Sequence, residues 1–265
     1  MRLPKLTQIV LALAALALWP SQAASATAPT VTLHAALTPE QLGHGTTMKF
    51  GFSISFSAGQ SPVALRELHL RYPANLGLAT SGLGVSNCRV AVLEADGPPG
   101  CPRNSVMGYG SALVEVPLGS EILYERVRAT TFMAPLQDGH LALLFYANGE
   151  SPVAAELVFP ALVLPASAPF GGDLSTRLPL IPSIPDAPDV AILQLNTTIG
   201  PSGVTYDEYA KGRTIPYRPR GILLPHHCPH DAFQFAGQFA FNDGTTAEAH
   251  TVVPCPRTRH LPMRR

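Results

Sequence analysis

Residues 233–253 read FQFAGQFAFNDGTTAEAHTVV, and the register of this stretch decides the fold class. Phe233, Phe235, Phe239 and Phe241 occupy alternate positions with Gly237 between them, so a strand of period two gathers all four rings on one face. Asn242-Asp243-Gly244 is a turn signal, and a second alternating run follows it. A three-residue loop with Gly244 left-handed pairs Phe241 with Thr245 and Phe239 with Ala247. That register puts Ala247, Ala249 and Val253 on the phenylalanine face and leaves Glu248 and His250 outside. A two-residue loop would turn Glu248 onto the aromatic face, because a one-residue slip exchanges the two faces. The first register is the one expected.

The same period recurs upstream. Met48, Phe50, Phe52, Ile54 and Phe56 alternate with Lys49, Gly51, Ser53 and Ser55, and Leu68, Leu70 and Tyr72 alternate with Glu67, His69 and Arg71. Residues 141–147 and 154–159 are apolar on nearly both faces, as central strands are. The helical candidate is short, over residues 88–95. Strands separated by Gly/Pro turns, with no alternating helices, predict an all-β protein. The expected form is an antiparallel β-sandwich of Ig-like or jelly-roll type, with roughly ten to twelve strands and one short helix in a disulfide loop. A single domain over 27–256 is expected, the alternative being two smaller sandwiches joined near residues 179–188.

Composition agrees with a folded, turn-rich chain. Of 265 residues, 14% are charged, against roughly 25% in ordinary soluble proteins, and 27 prolines and 22 glycines supply the turns. Residues 1–26 have the anatomy of a secretory signal peptide. Arg2 and Lys5 precede an apolar run of 11 residues at 9–19, and small residues suited to cleavage follow Pro20. The run is too short to span roughly 30 Å of hydrocarbon as a helix, so a secreted, extracellular protein without stable membrane insertion is expected. Residues 257–265 form a basic tail with four arginines. Between these ends the chain carries 18 acidic and 12 basic side chains, about −6, which argues against a nucleic-acid partner.

Four cysteines behind an export signal suggest two disulfides. Three pairings are possible, and proximity favours Cys88 with Cys101 and Cys228 with Cys255. The densest set of metal-ligand types is His226-His227-Cys228-Pro229-His230. It lacks CxxC spacing and its thiol is committed to a disulfide, so a polar turn is preferred to a zinc or copper site and no cofactor is expected. Hydrolase motifs such as GxSxG and HExxH are absent. Glu121 and Glu125 share a strand face, where surface placement is the ordinary explanation.

Two further features bear on binding. Pro179, Pro182, Pro185 and Pro188 recur at the period of a polyproline II helix, with Ile181, Ile184, Ala187 and Val190 on a second ridge, so a stiff strap laid across the protein's own apolar surface is expected. Tyr206, Tyr209 and Tyr217 interleave with Lys211, Arg213, Arg218 and Arg220; a solvated edge hairpin is the ordinary explanation of this composition, and it is also the best candidate surface for binding glycans or anionic polymers by stacking and charge.

Cys101-Pro102-Arg103-Asn104-Ser105 leads to Gly108-Tyr109-Gly110-Ser111. Pro179-Leu180-Ile181-Pro182-Ser183-Ile184-Pro185, Tyr217-Arg218-Pro219-Arg220-Gly221 and Val253-Pro254-Cys255-Pro256 come later. With these segments, from about residue 76 to 256, the chain resembles secreted proteins of high-GC soil actinobacteria that have no assigned activity. The resemblance implies export and an all-β fold. The chain departs at His230-Asp231, where those relatives carry glycines, so a shared histidine metal site is not implied. Export, cysteine staples and the absence of a catalytic motif lead to one expectation. A non-catalytic protein that binds a component of the cell envelope or its surroundings is expected, with a cell-wall polysaccharide or another envelope polymer as the candidate partner. The alternatives are a glycosidase-like secreted hydrolase and a structural envelope subunit.

Overall fold

A computed structural model describes residues 27–78, 81–151, 154–184, 188–229 and 232–256. The expected signal segment 1–26, the basic tail 257–265 and His230 lie outside the described residues. The strands are β1 (Thr30–Thr38), β2 (Gly45–Ser55), β3 (Leu65–Pro73), β4 (Val106–Leu118), β5 (Glu121–Met133), β6 (Leu141–Gly149), β7 (Ala155–Pro165), β8 (Phe170–Arg177), β9 (Ala191–Ile199), β10 (Tyr206–Ala210), β11 (Arg213–Tyr217), β12 (Ile222–Leu223), β13 (Ala232–Phe241) and β14 (Thr246–Pro254). One α-helix, α1 (Val90–Asp96), precedes β4.

A twelve-stranded antiparallel sheet follows the order β1-β2-β9-β4-β5-β6-β7-β8-β3-β13-β14, with β12 added to β2. The sheet curls until β1 packs alongside β14, so it is nearly closed. Its two packed layers are opposite walls of one sheet, which is how the expected antiparallel β-sandwich is realised. Because β9 pairs with both β2 and β4, and β13 pairs with β3, the chain on both sides of residues 179–188 contributes to that sheet.

The C-terminal hairpin has the register its sequence requires. Phe239 lies opposite Ala247, the Phe241 N–H donates to the Thr245 carbonyl at 2.9 Å, and Gly244 has φ +85°. All four phenylalanines are buried, as are Ala249 and Val253, while Glu248 and His250 are exposed. Phe52 of β2 meets Phe239 edge-to-face, with ring centroids 5.1 Å apart. This seam, joined by Leu33, Leu37, Leu68 and Leu70, fills one side of the interior.

Strands β6 and β7 are apolar on both faces for a local reason. Their inner residues face the interior, whereas Ala142, Leu144 and Tyr146 face outward under α1, whose Leu93 is fully buried against them. The helix ends at Gly97 (φ +64°) and is bracketed by the Cys88–Cys101 disulfide. The second disulfide, Cys228–Cys255, ties the chain entering β13 to the end of β14. Both pairings are the local ones the spacing favours.

The proline-rich segment differs from expectation. The Val190 N–H donates to the Ile181 carbonyl at 2.8 Å, and Pro182 pairs with Asp189 as an antiparallel bridge. A polyproline II helix has no internal hydrogen bonds, so this segment folds back on itself and is not an extended strap. Its path is dictated by topology. Strands β8 and β9 are separated by four strands one way round the sheet and by five the other way. Residues 178–184 and 188–190 therefore lie across one end of the barrel. Of the apolar ridge, Ile181 and Val190 line the interior, Ile184 is exposed, and Ala187 lies outside the described residues.

The aromatic seam gives the fold a direct test. Phe239→Ala is expected to lower the unfolding free energy by about 3–5 kcal/mol, while Val252→Thr, at a position 56% exposed, changes it by less than about 0.5 kcal/mol. Urea midpoints of the two variants against the parent chain check this, and equal effects would contradict the placement of the seam.

Candidate functional site

The barrel interior divides by side-chain size. Phenylalanines and leucines fill the side near β1, β13 and β14. On the other side the inward positions of β4 to β7 carry small residues, among them Ala112, Ala129, Ala147, Gly149 and Ala155. Side chains this short cannot reach the opposite wall, and a cavity of about 220 Å³ remains. An apolar cavity of roughly 150 Å³ is enough to stay dry and bind benzene. Val127, Phe145, Leu157 and Phe159 point into the space and are only half-buried, although they lie on the inner face of a nearly closed sheet. Phe145 and Phe159 stack there with centroids 5.4 Å apart. Inward apolar side chains that stay accessible are what distinguish a binding cavity from a packed core.

Few polar side chains enter this space. Thr176 Oγ1 donates to the Pro160 carbonyl at 2.7 Å, and Ser183 Oγ donates to the Pro117 carbonyl, so both hydroxyl protons are committed. Thr197 Oγ1 is buried with no hydrogen-bond partner among the described residues. Glu125 is 3% exposed and accepts the Ser151 N–H on Oε1 at 3.1 Å. Glu121 shares the parity of Glu125 but is exposed at the β4–β5 turn. The surface placement expected of the pair therefore holds for Glu121 and is corrected for Glu125. Sequence parity put the two on one face, but could not say that this face closes into a barrel.

The tyrosine-rich hairpin forms its own two-stranded sheet, in which Tyr206 lies opposite Tyr217. Tyr206 is not at the surface. It is fully buried, its hydroxyl donates to the Val106 carbonyl at 2.6 Å and accepts the Gly84 N–H at 2.8 Å, and its ring meets Tyr217 edge-on. It anchors the hairpin, because a buried phenol must place its hydroxyl on a partner. Tyr209, Lys211, Arg213, Tyr217, Arg218 and Arg220 are exposed, and Tyr209 reaches 77%. Arg103 pairs with Asp207 at 3.4 Å beside them.

Other constellations resolve into structure. His226 and His227 are exposed on the turn before Cys228, and no group of three or more His, Cys, Asp or Glu suited to a metal occurs among the described residues. Ser175, His69 and Asp173 come together on adjoining strands, with Asp173 Oδ2 3.0 Å from His69 Nδ1. His69 Nε2 faces Glu67 at 3.4 Å, so the ring is held between two carboxylates and is not part of a nucleophile–base pair. No known protein family, curated protein or solved structure matches the chain.

Three tyrosines tie the packing to pH. Burial raises Tyr206, and burial followed by the Asp173 charge raises Tyr72. Burial, then the hydrogen bond and charge of Glu156, pushes Tyr146 up to about 12. A folded-state value above the unfolded one stabilises fully below the unfolded value, near 10, and the contribution is lost as pH rises through the folded value. Unfolding free energy is therefore expected to fall from pH 10 upward, and Tyr146→Phe to make that fall shallower between 10 and about 12. Urea titrations across this range check the sign, and a rise in stability would contradict it.

Proposed function

We propose that this chain is an exported, non-catalytic binding protein of the cell envelope or its surroundings, and that its ligand is an apolar molecule held inside the barrel. The observation that carries the reading is the small-residue half of the interior, which leaves accessible apolar side chains where a purely structural barrel would be packed. The exterior supports it. Outward positions such as Arg126, Arg128, Gln234, Gln238, Glu248 and His250 are exposed and polar, the reverse of a lipid-facing barrel. No helix among the described residues is long and apolar enough to cross a membrane. Two disulfides are compatible with an oxidising compartment.

A second reading has its own observation. The hairpin of β10 and β11 presents Tyr209 and Tyr217 beside Lys211, Arg213, Arg218 and Arg220, a surface suited to a cell-wall polysaccharide or another envelope polymer. One experiment separates the two. An uncharged fluorescent naphthylamine is expected to bind the chain saturably at one site. Ala129→Phe with Ala147→Phe, which fills the cavity, is expected to weaken it at least about tenfold. Arg213→Ala/Arg218→Ala/Arg220→Ala is expected to leave that affinity unchanged. Polymer binding that is lost in the arginine variant, with no probe binding to any form, would favour the second reading and overturn the first.

A further inference from the structure

Which lining atoms are accessible narrows the chemical class of the interior ligand, and this inference rests on the cavity reading above. Binding pockets usually set a few polar groups at the surface of an apolar wall, where they orient the ligand. Here the arrangement is reversed. Val127, Phe145, Leu157 and Phe159 are half-buried and give the chamber accessible surface, whereas Glu125 and Thr176 are buried. The polar side chains are also engaged. Glu125 Oε1 accepts the Ser151 N–H, and the hydroxyls of Thr176 and Ser183 donate to carbonyls. Thr197 Oγ1 has no partner among the described residues, but it is itself buried, so it offers a ligand no surface to bond. The Tyr72 hydroxyl lies over Gly172, which pairs with Pro165. Pro165 is six residues beyond Phe159, or roughly 20 Å along β7. The backbone donors and acceptors of the walls are paired in the ladders that join β4 to β7.

Size follows from the volume. A cavity of roughly 150 Å³ accepts benzene, so one of about 220 Å³ accepts roughly nine carbon atoms in proportion. Phe145 and Phe159, stacked with centroids 5.4 Å apart, present ring atoms to whatever fills it. We infer that the ligand is a compact hydrocarbon of roughly nine carbon atoms, an alkylbenzene or a bicyclic ring system with no hydrogen-bonding group. An N–H or O–H carried into this chamber loses its bonds to water and meets no accessible side-chain acceptor among the described residues. The same cost turns away amphipaths whose headgroup would have to pass inside.

Indene and indole test this directly, because they have nearly the same shape and differ by one N–H. In calorimetric titrations of the chain at neutral pH, indene is expected to bind at least about tenfold more tightly than indole. Ala129→Phe with Ala147→Phe is expected to weaken indene at least about tenfold, which places it in the chamber. Thr197→Val is expected to leave both affinities within about threefold of the parent chain, since its oxygen meets no ligand. A smaller preference for indene, or a preference for indole, would overturn the assignment. So would a larger loss of indole affinity in Thr197→Val, which would make that hydroxyl a ligand partner. Binding of the naphthylamine probe without binding of indene would overturn the hydrocarbon assignment and leave the cavity reading standing. Binding of neither would remove the cavity reading, and this inference with it.

Discussion

The edge-to-face contact of Phe239 on Phe52, 5.1 Å between centroids, is the interaction on which the rest of this barrel depends. It joins the last hairpin to the second strand across the interior, and so brings the two ends of the sheet together. Aromatic pairs contribute more than their buried area when the ring edge meets a ring face. The rings of Phe233, Phe235 and Phe241 extend the seam along β13. A barrel closed by large rings on one side is held open on the other wherever the facing residues are small. The cavity follows from that asymmetry.

The closure also fixes the path of the proline-rich crossing. Once β9 is inserted between β2 and β4, far from β8, the connecting chain has to pass over the barrel end. Prolines suit a segment that lies outside the main sheet, since they have no N–H to satisfy. The fold-back between Ile181 and Val190, with Asn242 donating to Asp189 at 3.1 Å, ties this crossing to the aromatic hairpin. One contact network therefore shapes both the wall and the cover of the chamber.

Much of this was legible in the sequence, for reasons that are local. The register of β13 and β14 follows from the Asn-Asp-Gly turn and from the cost of burying Glu248. The disulfides follow from that register and from the even cysteine count with its local spacing. The short helix follows from the 14 residues between Cys88 and Cys101, counting both cysteines. What could not be read depends on contacts distant in sequence. Nothing in residues 141–147 reveals whether an apolar outer face meets a helix or another sheet, and nothing near Glu125 shows that its strand face turns inward. Tyr206 looks like Tyr209 in sequence, yet one is fully buried and the other 77% exposed. The difference lies in Val106 and Gly84, about a hundred residues away. The threefold proline period suggested an extended conformation, and a single backbone bond from Val190 overrode it.

The central claim is that the side of the interior facing the aromatic seam is open, apolar and accessible. Xenon tests this with no assumption about a natural ligand, because it binds apolar cavities by dispersion and polar sites hardly at all. In crystals of the chain pressurised with xenon, ordered atoms are expected between Ala129, Ala147, Phe145 and Phe159. An interior free of xenon, with Phe145 and Phe159 collapsed onto the opposite wall, would contradict the account.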